Sequence, residues 1–386
     1  GGTAEQPVAG FFAPRSHALI PISACPNAMP PAPAITEAFL GWMKANRVAP
    51  YVEETHTGLI RHLMVRVNRK GEAMAVVVAN GRTLPQEGAL IEALCSVGAV
   101  SVILNVNNAR TNVILGGEFR TLYGSDTLED TLCGFTFALH PASFFQVNPA
   151  QTEVLYGLAL DFAGLTGAEN VCDVYCGAGT ISLMLSRKAR HVLGIEIVPQ
   201  AIENAIAGAK RNNVTNADFR CGAAEEVLPK LVAEGLKPDV IVIDPPRKGI
   251  EPAVVEALAA AAPERIVYVS CNVATQARDA ALLCARGYQV EKMQSVDMFC
   301  WTSGVENVIL LSKGNVDVKR IKVDISLEDM DLSELQTHAT YAQIKARVKE
   351  QTGLDVSNLY IAQVKAKCGI KERAHYNHAT SADAKQ

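Results

Sequence analysis

The chain has 386 residues, 49% of them hydrophobic and 20% charged, with a formal net charge of −4. That length suits two or three domains of ordinary globular composition, and no apolar run approaches the roughly 20 residues of a membrane helix. The acidic balance removes global charge as an argument for nucleic-acid binding, so any RNA contact must come from a local basic patch.

Residues 1–135 read as an α+β domain. Stretches 59–68 and 73–80 alternate like strands around a turn at 69–72, and 100–106 and 111–115 are further strand candidates. Ile35, Phe39, Trp42 and Met43 recur at helical spacing, as do Leu90, Ile91, Leu94 and Cys95.

Residues 136–313 alternate apolar β-like runs with helical patterns, as in a mostly parallel sheet wrapped by helices. The predicted strands are 170–174, 191–195, 217–221, 240–243, 265–270, 288–296 and 305–311, which predicts a doubly wound, Rossmann-like α/β domain of seven strands. Residues 314–386 read as a small, locally basic helical extension carrying Lys345, Arg347, Lys349, Lys365, Lys367, Lys371 and Arg373. A solvated helical face accounts for such a charge set as readily as RNA contact does.

The ten cysteines are scattered, with no C-x-x-C pair to indicate zinc or a redox dithiol. Free thiols, a reducing cytoplasm and no metal site are the expectation. The N-terminal residues also lack the charged-then-apolar order of a secretion signal.

Residues 173–180, Asp-Val-Tyr-Cys-Gly-Ala-Gly-Thr, follow a strand and open a helix. Gly177 and Gly179 let the backbone approach a ligand closely. Glu196, at the end of the next strand, can accept hydrogen bonds from ribose hydroxyls. A dinucleotide site would need a third glycine that this turn lacks. With Glu196 and the Asp-Pro-Pro run from Asp244, the turn favours S-adenosylmethionine.

Cys271 ends a buried-looking strand beside this cofactor region, where a thiol can attack a substrate covalently. Glu306 lies in a later segment that can supply a carboxylate base. Uracil C5 is a poor nucleophile, and adding a thiolate at C6 turns the ring into an enolate that C5 methylation can use. A base must then remove the C5 proton.

These residues closely resemble the RNA uracil-C5 methyltransferase family. The matching stretches are 143–149 (Ser-Phe-Phe-Gln-Val-Asn-Pro), 173–179, 244–249 (Asp-Pro-Pro-Arg-Lys-Gly), 268–272 (Tyr-Val-Ser-Cys-Asn) and 297–306. The resemblance implies a class I methyltransferase fold with Cys271 as nucleophile and Glu306 as proton acceptor. It implies that Gln146, Tyr175, Glu196 and Asp244 hold S-adenosylmethionine around Gly177 and Gly179. Large-subunit (23S) ribosomal RNA is the expected partner, with transfer RNA as the alternative and a catalytically impaired RNA-binding relative as the non-enzyme reading. A cytosine-C5 enzyme would favour proline before the nucleophile, where Ser270 stands. Cys176, within the glycine turn, is the rival nucleophile.

The chain departs from the family at Val273, where proline is usual, at Cys300 and Trp301, where proline and histidine are, and at Gly304, where histidine is common. Cys25 matches the last of four cluster-binding cysteines, but its three partners and the N-terminal RNA-binding barrel lack counterparts here. One cysteine cannot hold an iron–sulfur cluster, so the sequence reads as a shortened relative or a fragment.

Overall fold

The computed structural model describes residues 1–313 apart from 14, 15, 17 and 303, together with Lys345, Ala346 and Lys349. Gly1–Asn315 forms one compact unit and Val316–Gln386 a second. Of the helical extension expected over 314–386, only Lys345, Ala346 and Lys349 are described, all three helical, and the rest lies outside the described residues.

The first unit opens with a short antiparallel pair, β1 (Gly10–Phe12) and β2 (Leu19–Pro21), followed by α1 (Ala32–Ala45). Next come β3 (Ile60–Val67), β4 (Ala73–Ala79), α2 (Glu87–Cys95), β5 (Ala99–Val106) and β6 (Glu118–Tyr123), whose strands form one sheet in chain order. β4 and β5 are parallel, joined by α2, and the other neighbours are antiparallel. β4 is buried along its whole length, which is why its sequence is continuously apolar rather than alternating. Ile35, Phe39, Trp42 and Met43 of α1 pack with Leu90 and Leu94 of α2 in the core of this sheet, as their spacing predicts.

Stretch 111–115, expected to be a strand, is irregular instead. Its carbonyls are claimed by side chains: Arg61 donates to Thr111 O at 3.1 Å, and Asn107 Nδ2 to Val113 O and Ile114 O at 2.7 and 2.9 Å. The ladder strand that pairs with β5 comes later, as β6.

A hairpin of β7 (Leu128–Leu132) and β8 (Phe135–Leu139) precedes α3 (Pro149–Ala163). The large sheet then builds from β9 (Asn170–Val174), α4 (Thr180–Ser186), β10 (His191–Glu196), α5 (Pro199–Arg211), β11 (Ala217–Cys221), α6 (Ala224–Ala233) and β12 (Val240–Ile243). It is completed by α7 (Pro252–Ala261), β13 (Arg265–Ser270), α8 (Val273–Cys284), β14 (Tyr288–Val296) and β15 (Glu306–Lys313). The seven strands lie in the order β11-β10-β9-β12-β13-β15-β14. The first five are parallel, and β15 runs antiparallel to both its neighbours.

Helices cover both faces. Leu155, Leu183, Val242 and Val267 meet on one side, and Ile241, Ile266, Tyr268, Leu258 and Leu283 on the other. This is the predicted α/β, Rossmann-like class I methyltransferase architecture. The strand order reverses between β9 and β12, which opens a crevice at the carboxyl ends of the parallel strands. Because β15 is reversed, its first residue stands at that same edge. No helix among the described residues is long and apolar enough to cross a membrane.

Candidate active site

The carboxyl edge of the sheet gathers most of the residues singled out from sequence. Tyr175 follows β9, Glu196 ends β10, Asp244 follows β12, Cys271 follows β13, and Glu306 begins β15.

The turn after β9 is folded tightly. Tyr175, Gly177 and Gly179 all have positive φ, at 69°, 54° and 78°. The Tyr175 and Cys176 N–H groups donate to Ile195 O at 2.9 and 3.0 Å, which carries the chain over the end of β10. The Gly177 N–H then donates to Glu196 Oε2 at 3.1 Å, and Val198 N–H to Oε1 at 2.9 Å. A Cβ on Gly177 would meet nothing within 4 Å, so the space above this turn is open. Beneath it, Ser182 Oγ donates to Asp173 Oδ2 at 2.5 Å, while the buried Oδ1 has no hydrogen-bond partner among the described residues. Burial pushes the Asp173 carboxyl up to about 7.

Cys176 is packing material. It is buried, burial pushes its thiol far above the ordinary range, and a Cβ on Gly194 would sit 2.8 Å from its sulfur. A thiol held protonated cannot serve as a nucleophile.

Cys271 and Glu306 are brought together by strand register. Ser270 of β13 pairs with Asn307 of β15, so one further step along each antiparallel strand puts Cys271 beside Glu306. Cys271 is half-buried and lines a pocket of about 500 Å³ with Arg247, Asn272, Phe299, Thr302 and Gly304. Glu306 is buried, and burial pushes its carboxyl up to about 7, with the Arg247 charge pulling the other way. Burial also raises the Asp244 carboxyl well above its usual range, helped by the nearby charges of Glu306 and Asp173. Behind the pair, Gln276 donates to Tyr268 O at 2.9 Å and accepts from Asn307 Nδ2 at 2.5 Å, and Ser295 Oγ donates to Asn307 Oδ1 at 3.0 Å. These buried polar contacts fix β13, α8 and β15 against one another.

Arg247 was not among the residues singled out as a site group, yet it faces the same pocket. Its loop is tied to the start of α8, where Asn272 caps the helix by accepting from the Ala274 and Thr275 N–H groups. The Asn272 Nδ2 and Thr275 Oγ1 donate to Arg247 O at 3.0 and 3.3 Å, and Arg278 Nη2 donates to Lys248 O at 2.9 Å. The Asn272 residue following Cys271 was the available signal, since Asn is a favoured helix cap.

Gln146 is half-buried in the segment between β8 and α3. Asn148 caps α3 and its Nδ2 donates to Met298 O at 3.3 Å, which joins this segment to the 297–302 loop at the pocket. Among the described residues no group of three or more His, Cys, Asp or Glu side chains is placed to hold a metal ion.

The chain has counterparts among known proteins. Residues 109–314 match the model of the tRNA (uracil-5-)-methyltransferase family. A protein from Clostridium tetani named an uncharacterized RNA methyltransferase is 48% identical over 306 residues, covering 78% of this chain and 66% of its own length. A protein of the same description from Clostridium acetobutylicum is 44% identical over 316 residues, covering 81% and 69%. The chain therefore spans about two thirds of the length of these relatives. The crystal structure of Pyrococcus abyssi tRNA (uracil-54, C5)-methyltransferase in complex with S-adenosyl-L-homocysteine superposes with a TM-score of 0.66 at 28% identity, covering 76% of this chain and 70% of that one.

Proposed function

The chain belongs to the tRNA (uracil-5-)-methyltransferase family, and from that premise we propose that it methylates C5 of a uridine in RNA with S-adenosylmethionine as methyl donor. The observation that carries this reading is the β13–β15 register, which sets a half-buried thiol beside a buried carboxyl raised to the neutral range.

The Cys271 thiolate adds to C6 of the uracil ring, forming the S–C6 bond while the C5–C6 π electrons move toward the C4 oxygen as an enolate. S-adenosylmethionine, when bound, supplies an electrophilic methyl group for C5. Glu306 then takes the C5 proton, the C5–C6 double bond re-forms, and the S–C6 bond breaks to return the thiolate. Arg247 favours the ionised form of Glu306, the form able to accept that proton.

The residues fit such a donor. Open space lies above Gly177, and Asp173 Oδ1 is a buried acceptor without a partner among the described residues. Glu196 keeps lone pairs for ribose beside its two backbone N–H contacts. Gln146, Tyr175 and Asp244 complete the set proposed to hold it, with Gly177 and Gly179 allowing the close approach.

We assign 23S ribosomal RNA as the substrate and the cytoplasm as the place of action. Transfer RNA is the second reading, favoured by the names of the family model and of the Pyrococcus abyssi enzyme. Methyl transfer to in-vitro transcribed ribosomal and transfer RNA, followed by nucleoside analysis, tests both. The expected product is 5-methyluridine, in ribosomal RNA. Methylation of transfer RNA alone would reassign the substrate, and a product other than 5-methyluridine would refute the chemistry.

A further inference from the structure

Trp301 has no structural reason to be a tryptophan. It is 86% exposed, whereas Trp42, the other of the chain's two tryptophans, is buried in the α1 core. Its φ of 64° lies in the left-handed region, where a bulky residue is strained and glycine is at ease. The turn that carries it is closed by its neighbours: Thr302 N–H donates to Phe299 O at 3.1 Å, and Thr302 Oγ1 to the same oxygen at 2.7 Å. The loop is also anchored from outside, with Asn27 Nδ2 donating to Cys300 O at 2.8 Å and Asn148 Nδ2 to Met298 O at 3.3 Å. A held loop thus displays a large aromatic ring to solvent. It does so at the rim of the pocket containing Cys271, because Phe299, Thr302 and Gly304 around it all line that pocket.

Chemistry at C5 of a uridine inside a nucleic-acid strand requires the base to leave its stack, and its neighbour then loses a stacking partner. An exposed aromatic ring replaces such a partner whatever the base, since every base has a π face. We propose that Trp301 is a positioning residue that stacks on a base of single-stranded RNA next to the uridine held at Cys271. This rests on the RNA-methylating reading of the site.

The test uses tryptophan emission and steady-state kinetics on the full chain. Oligouridylate should quench wild-type emission, inorganic polyphosphate (which has charge but no bases) should not, and W301F should lose the quench because only the buried Trp42 remains. W301G relieves the left-handed backbone while removing the ring. It should raise KM for RNA by about 5- to 150-fold, the worth of one base stacked on an aromatic side chain, and leave kcat within about twofold. W301F should restore most of the affinity. The proposal fails if oligouridylate leaves the emission unchanged, if polyphosphate quenches equally, if the quench survives in W301F, or if W301G has the wild-type KM. Nucleoside analysis of the wild-type product reads the methylation chemistry separately, since the quench requires no methyl transfer.

Discussion

Glu196 holds the Gly177 N–H at 3.1 Å, so the carboxylate proposed to bind ribose also fastens the glycine turn to the end of β10. The two roles separate by measurement. Glu196→Ala is expected to weaken S-adenosylhomocysteine binding by roughly 1–3 kcal/mol through lost charge-assisted hydrogen bonds, and to lower the melting temperature. Glu196→Gln keeps one side-chain acceptor and should recover much of the stability but less of the affinity. A Glu196→Ala variant with wild-type affinity by calorimetry and a lowered melting temperature would leave the carboxylate as a staple alone.

Two cysteines near the crevice are assigned opposite fates. Cys271→Ala should abolish methylation while leaving S-adenosylhomocysteine affinity largely intact, because the thiol bonds to the base rather than to the donor. Cys176→Ala should lose about 1 kcal/mol or more of stability with the removal of a buried sulfur, yet still turn over. RNA containing 5-fluorouridine, which has no C5 proton to release, should trap a denaturation-resistant complex with the wild type and with Cys176→Ala. Trapping by Cys271→Ala would exclude that residue as the nucleophile.

Gly194 on β10 answers to packing. A Cβ there would lie 2.6 Å from Phe219 Cδ1 and 2.8 Å from Cys176 Sγ, with the β10 backbone unable to retreat from β9 and β11. Gly194→Ala is therefore expected to destabilise by about 1–3 kcal/mol. Combining it with Cys176→Ala should recover part of that loss, a coupling between neighbours that denaturant titration can read. Equal stability of Gly194→Ala and wild type would show that the packing around β10 has slack.

The centre of the large sheet is legible because β9, β12 and β13 are buried on both faces. Val240–Ile243 is apolar throughout and fully buried, and no helical period competes over so short a run. The N-terminal half is harder. Val113 and Ile114 look like strand residues, but their carbonyls are satisfied by Asn107, a side chain-to-backbone bond that periodicity does not encode. β6, mostly exposed, shows the opposite failure, since its apolar Phe119, Leu122 and Tyr123 do not alternate along the strand. At the site, Cys271 and Glu306 are identified by motif, but their adjacency depends on β15 running antiparallel, which is a property of topology. Arg247 was missed because its place depends on Asn272 and Thr275 capturing its carbonyl from another element.

Glu306 yields the sharpest expectations, since burial lifts its carboxyl to about 7 against an ordinary 4.5. Between those values the folded chain keeps a proton that the unfolded chain has released. This group's contribution to stability is therefore full below about 4.5, falls as pH rises, and levels off above about 7. Glu306→Gln removes the dependence, so it should gain stability over wild type as pH rises through that window, measured as the difference in melting temperature. Activity runs the other way, because only the ionised carboxylate can accept the C5 proton, and wild-type methylation should fall as pH drops below about 7. Glu306→Gln keeps the shape and loses the basicity at every pH. Proton removal follows thiolate addition and methylation, so this variant should stall after bond formation. It should accumulate a covalent complex with ordinary RNA, seen as a slowly migrating band under denaturing conditions, and release little 5-methyluridine. Product release at the wild-type rate, with no trapped complex, would remove Glu306 from the reaction and leave its raised carboxyl as a consequence of burial alone.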